Sequence, residues 1–157
     1  MLNKDYREML QSLSDEGVRF LLVGAYALAA HGFPRATKDI DFFVWASPEN
    51  APRILRALKR FGAPLENLSD ADFTTEGTVV QIGTGYRRID ILTRITGVRF
   101  EDAYARRLTV EMDGLSVPVI SRDDLIANKR ATGRTQDQAD VERLVPKNRT
   151  PGDDRTR

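Results

Sequence analysis

The stretch Thr37–Val44, TKDIDFFV, decides how the rest of the chain is read. Ile40, Phe42 and Val44 are apolar and β-prone, which suits a buried strand. Side chains alternate across a strand, so Asp39, Asp41 and Phe43 share the opposite face. Two carboxylates on one face of an apolar run repel each other and lose hydration, and something must offset that cost. Cβ atoms two residues apart on a strand lie about 6.5–7 Å apart at a rise of ~3.3 Å per residue. Paired divalent ions that bridge phosphate oxygens sit roughly 3.5–4 Å apart, within the grip of such carboxylates. Hard ions such as Mg²⁺ or Mn²⁺ prefer oxygen ligands and retain water. A site of this kind wants a further carboxylate from a neighbouring strand. Asp90, between Ile89 and Ile91 in RRIDILT, repeats the anomaly of a lone acid in an apolar strand. The bland alternative is a solvated sheet face or edge. It is the weaker reading, because two separate strands carry the same pattern.

Upstream, LLVGAYALAAHG (residues 21–32) reads as strand, Gly24, helix. Glycine lets the backbone come close to a ligand, and a helix start offers free N–H groups to phosphate. The turn matches neither a Walker loop nor a dinucleotide fingerprint. Alone it fits plain packing of strand on helix equally well. Set before the acidic strand, Gly24 and Ala25 become a candidate triphosphate cradle.

Outward from these segments, Leu2, Tyr6, Met9, Leu10 and Leu13 follow helical spacing up to Gly17. VRFLLVG is a short continuous apolar run, as in a central strand. Ser47-Pro48 reads as the start of a helix with Ser as cap, its stripe Ala51, Ile54, Leu55 and Leu58, its stop Gly62. GTVVQIGTGYRRIDILT predicts two strands about a Gly-Thr-Gly turn. FEDAYARR is a short helix, and LTVEMDGLSVPVI a hairpin turning at Asp113-Gly114. SRDDLIANKRATG opens with a capping box, Ser121 to Asp124, and TQDQADVERL is a last helix. PKNRTPGDDRTR is polar and Pro/Gly-bearing, the composition of a disordered tail. The expectation is an α/β (α+β) fold, a mixed β-sheet with flanking helices, in one domain over residues 1–145 with a disordered tail at 146–157.

Composition narrows the chemistry. Among 157 residues there is no cysteine and one histidine, His31, which excludes disulfides, thiolate nucleophiles and Cys or His-rich metal sites. Lys plus Arg number 24 against 23 Asp plus Glu, so no global field draws nucleic acid. The N-terminus lacks an apolar signal core and no run approaches a membrane span, so the expected location is cytoplasmic, with no membrane partner.

The order strand, Gly-small, helix, Asp-x-Asp strand and a later Asp-bearing strand resembles the DNA polymerase beta-like nucleotidyltransferases. LLVGAYALAAHGFPRATKDIDFFV and SVPVISRDDLIANKRATGRTQDQADVERL resemble small bacterial members, including abortive-infection toxin-like ones, over most of residues 18–145. The resemblance implies transfer of a nucleoside monophosphate from an NTP to an acceptor hydroxyl, with Mg²⁺ or Mn²⁺ as cofactor. It maps Gly24 and Ala25 onto the phosphate-side turn and Asp39 and Asp41 onto metal ligands. It makes Asp90 the third ligand or base, and Lys129 a nucleotide or phosphate contact. ATP binding and a toxin–antitoxin role are its further implications. The second turn residue in that family is usually Gly or Ser. Ala25 lacks the hydroxyl that would bond phosphate, a difference of roughly 1–2 kcal/mol of binding.

Arg35 and Thr37 flank the loop into Asp39, where they could clamp phosphate and orient the loop, or serve in a salt bridge and a local cap. Lys129 shares a helix side with Leu125 and Ile126. Its ammonium reaches either the triphosphate or a structural pair with Asp137 or Asp140. His31 suits a helix end or packing, and Trp45 suits the core or its rim better than base stacking. The acceptor could be an RNA end, a protein or a small molecule, met at a partner or homodimer surface. Two alternatives stand beside transfer. One is a catalytically silent nucleotidyltransferase-like binding module. The other is an Asp-x-Asp glycosyltransferase, which the Gly-helix turn and Asp90 disfavour.

Overall fold

The computed structural model describes residues 2–146, so the expected tail lies, from residue 147 on, outside the described residues. Helix α1 (Lys4–Asp15) is capped by Asn3, whose side chain accepts from Tyr6 N, and it buries Tyr6, Met9, Leu10 and Leu13. Strand β1 (Phe20–Val23) is buried throughout and runs straight into α2 (Gly24–Ala30). Strand β2 (Asp39–Val44) carries the acidic pair. Helix α3 (Ala51–Phe61) ends at Gly62, which adopts a left-handed φ of 98°. Strands β3 (Val79–Ile82) and β4 (Arg88–Leu92) flank a 3-10 turn at Gly85–Arg87. Helix α4 (Phe100–Ala105) precedes the hairpin β5 (Leu108–Met112) and β6 (Leu115–Val119). Helices α5 (Arg122–Thr132) and α6 (Thr135–Leu144) follow, packed on each other.

One helix starts later than expected, and one capping box forms only half. The Ser47 hydroxyl does accept from Asn50 N at 3.0 Å, but it caps a turn, and α3 begins at Ala51 with Pro52 in its first turn. The reason is Asn50. Its buried side chain accepts from Arg19 N and donates to the carbonyls of Arg19 and Trp45, so this residue is committed to the sheet connection. At α5, Ser121 caps Asp124 N as expected. The Asp124 carboxylate, however, takes the Ser121 hydroxyl and the Arg106 guanidinium.

The six strands form one mixed sheet in the order β3-β4-β2-β1-β6-β5. Neighbours β2 and β4 run parallel, as do β1 and β6, and the other pairs are antiparallel. Parity then separates two faces. Phe20, Leu22, Ile40, Phe42, Val44, Ile89 and Ile91 lie on one and are all buried. Asp39, Asp41, Arg88 and Asp90 lie on the other, together with Phe43. Phe43 is covered by the edge of Phe100 from α4, ring centroids 5.1 Å apart. The carboxylate face is thus closed at the Phe43 end and polar at the other. The buried cluster also draws on Ile54, Ala57 and Leu58 of α3, Leu125 of α5, and Val141 and Leu144 of α6. No helix among the described residues is long and apolar enough to cross a membrane.

Candidate functional site

Strand register makes the acidic cluster. In the parallel β2–β4 pair, Asp41 stands beside Asp90 and Asp39 beside Arg88. In the antiparallel β1–β2 pair, Asp41 stands opposite Val23, one residue before the turn at Gly24. One carboxylate oxygen from each of Asp39, Asp41 and Asp90 can be chosen so that all three lie within 4.8 Å of one another. The turn presses on the same spot. A Cβ at Gly24 would sit 2.2 Å from Asp41 Oδ2, and φ there is +69°, so glycine is required twice over.

The charges are arranged unequally. Arg88 donates from Nη2 to Asp39 Oδ2 at 2.5 Å and from Nε to Asp90 Oδ1 at 3.1 Å. Thr37 Oγ1 donates to Asp39 Oδ1 at 2.9 Å, which ties the incoming loop to the strand. Asp41 has neither partner. Burial, and then the negative charges of Asp39 and Asp90, push its carboxyl up to about 8, with Arg88 opposing. Arg88 itself is held above its ordinary value by its hydrogen bonds and charge attraction to Asp90 and Asp39.

A cavity of about 450 Å³ opens on this face. Asp39, Asp41, Asp90, Gly24 and Ala25 line it. So do Arg35, Thr37 and Lys129, so every candidate from the sequence meets at one place. Sequence reasoning missed Arg88, Asn128, Thr132 and Gln136, which also line it. For Arg88 a signal existed: it lies two residues before Asp90 on a strand and so shares its face. The helix residues carried no comparable signal, because their approach depends on how α5 and α6 dock.

The far wall is an ionic network. Lys129, only 4% exposed, donates from Nζ to Asp140 Oδ2 at 2.8 Å and to Asp137 Oδ1 at 3.3 Å. Asp137 also accepts from Thr132 Oγ1 and from Arg134 Nε. Asp140, fully buried, also accepts from Arg35 Nη2 at 3.2 Å and Gln136 Nε2 at 3.2 Å. Burial works to raise both acids. It is outweighed by hydrogen bonds from Thr132 and Arg134 for Asp137, and from Lys129 and Arg35 for Asp140, together with the positive charges. Both are held below the usual carboxylate value. The Lys129 ammonium therefore lies at the cavity wall and in the carboxylate pair at once. Away from the cavity, His31 Nε2 lies 2.8 Å from Ile120 O, joining the end of α2 to β6. The Trp45 ring is half-buried beneath Arg19, 5.0 Å from its centroid.

Two solved structures share this architecture. One is the lincosamide antibiotic adenylyltransferase LnuA with lincomycin bound, at 15% identity and a TM-score of 0.59 over 92% of this chain and 96% of that one. The other is a candidate nucleotidyltransferase, TM1012, from Thermotoga maritima, at 19% identity and a TM-score of 0.61 over 91% of this chain and 94% of that one. At such identities the likeness establishes the fold. No curated relative matches the chain significantly. Neither neighbour bears on the abortive-infection resemblance. The model of one family, however, spans residues 2–153, nearly the whole chain. The protein belongs to that family, described as nucleotidyl transferase of unknown function (DUF2204), and is a nucleotidyltransferase.

Proposed function

We propose that the protein moves a nucleoside monophosphate from an NTP to an acceptor hydroxyl with the help of Mg²⁺ or Mn²⁺ held by Asp39, Asp41 and Asp90. The observation that carries this reading is the parallel β2–β4 register, which gathers three carboxylates at the floor of a cavity beside the Gly24 turn. The donor set fits a hard divalent ion: oxygen ligands only, and a cluster that already attracts a cation, the Arg88 guanidinium. When bound, the metal would supply charge neutralisation at the phosphates and polarise the reacting oxygens.

The remaining work falls to the chain. Gly24 and Ala25 keep backbone close to the floor, where a side chain would collide with Asp41. Arg35, with its Nη2 anchored on Asp140, and Lys129 line the same cavity and would supply positive charge to the donor's phosphates. The acceptor oxygen attacks the α-phosphorus, the bond from that phosphorus to the bridging oxygen breaks, and pyrophosphate leaves. In this reading Asp90 takes the acceptor proton.

ATP is the donor to test first. An acceptor of small-molecule type gains support from the lincosamide adenylyltransferase neighbour, an RNA end or protein from the toxin-like resemblance alone. A toxin–antitoxin role belongs to that resemblance as well. Incubating the protein with each α-labelled NTP, Mg²⁺ or Mn²⁺, and cell extract tests donor and acceptor together. Label transferred with release of pyrophosphate is the expected outcome. Metal-dependent NTP binding without transfer would favour the silent binding module.

A further inference from the structure

We propose that Arg88 is an internal counter-ion that exchanges with the divalent cation, yielding Asp39 and Asp90 to the metal and carrying its guanidinium to the donor's phosphates. The inference rests on the metal–NTP reading above and adds a coupling between the two ligands. Arg88 spans the cluster: Nη2 meets Asp39 Oδ2 at 2.5 Å and Asp90 Oδ2 at 3.3 Å, and Nε meets Asp90 Oδ1 at 3.1 Å. These are the oxygens a metal would need, so guanidinium and metal compete for one set of acceptors. Asp41 receives no hydrogen bond from Arg88.

The side chain is free to leave. It is 39% exposed and lines the open cavity, so rotation carries it into solvent-filled space and not into the core. Its planar fork matches phosphate oxygens as well as carboxylates. Without nucleotide, an arriving metal must displace Arg88 and give it nothing in return. With a triphosphate present, the displaced guanidinium finds new acceptors. Metal and donor then bind cooperatively, and the coupling is reciprocal.

The test is Mn²⁺ binding to the full chain, read by electron paramagnetic resonance of the free ion, with and without a non-hydrolysable ATP analogue. Arg88→Met and Arg88→Gln are compared with the parent, and thermal melts establish that each is folded. The expected result is that both variants bind Mn²⁺ alone about tenfold or more tightly than the parent, because the competing charge-assisted bonds are gone. The analogue should then improve their Mn²⁺ affinity at least ~10-fold less than it improves the parent's. Folded variants that bind Mn²⁺ alone no more tightly than the parent would overturn the exchange, while carboxylate-dependent Mn²⁺ binding by the parent would leave the metal reading standing. A parent that binds no Mn²⁺ even with the analogue, or an Asp39→Asn variant that keeps the parent's affinity, overturns the metal reading and the exchange with it.

Discussion

Asp41 and Gly24 are bound to each other's identity. The backbone of Gly24 approaches so closely that any Cβ there would fall 2.2 Å from an Asp41 oxygen. Gly24→Ala therefore both strains a left-handed backbone and drives Asp41 off the cluster. Gly17 supplies the control, with the same φ of +69° and nothing within 4 Å of a built Cβ. Each substitution should cost about 1–2 kcal/mol from backbone strain alone. Only Gly24→Ala should also abolish metal–NTP binding, measured by titration of the folded variants. Asp90 differs, because in the proposed reaction its carboxylate acts as proton acceptor as well as third metal ligand. Asp90→Asn should largely spare NTP binding, because Asp39 and Asp41 remain to hold the metal, and lower turnover about 10²–10⁴-fold, as loss of a general base does. A variant that unfolds while its residual specific activity stays normal would make Asp90 structural.

Helices α5 and α6 are joined through Lys129, whose ammonium bridges Asp137 and Asp140 in a buried setting. Removing one partner of a buried ion pair costs about 3–5 kcal/mol. Lys129→Ala belongs at the lower end, because Arg134 and Thr132 still serve Asp137 and Arg35 and Gln136 still serve Asp140. At about 3 kcal/mol the melting temperature falls by roughly 6–12 °C. If Lys129 also contacts the triphosphate, NTP affinity falls with it about ten- to a hundredfold, and both are measured on one sample. The helices show what a sequence can and cannot carry. Helical spacing sufficed to turn Lys129, Asp137 and Asp140 inward, and strand alternation sufficed to put Asp39 and Asp41 on one face. Neither could supply the β2–β4 register that sets Asp41 beside Asp90, because strand pairing is a contact between segments remote in sequence. Arg88 had visible parity but no visible partner, since its bond to Asp39 depends on that register. The start of α3 was misplaced because Ser47-Pro48 is a strong local helix signal that the long-range bonds of Asn50 override.

Across the whole molecule, stability and pH are linked through groups with opposite behaviour. The Asp41 carboxyl is held at about 8 against an ordinary 3.8, so its contribution to stability is full below 3.8, declines steadily above it and is gone once pH has risen through 8. Asp137 and Asp140 lie below 3.8, so theirs is present above that value and lost in stronger acid. The metal-free protein should therefore melt highest in mildly acidic solution and lower at about pH 9 than at about pH 5. Asp41→Asn should flatten the alkaline limb, and a thermal melt series over pH checks it. The proposed activity depends on the carboxylates holding a metal–NTP complex. Calorimetric titration of Mn²⁺ with a non-hydrolysable NTP into the Asp39→Asn, Asp41→Asn double variant tests that most directly. The predicted result is loss of binding in a protein that stays folded and melts no lower than the parent. Unchanged affinity in the double variant would contradict it.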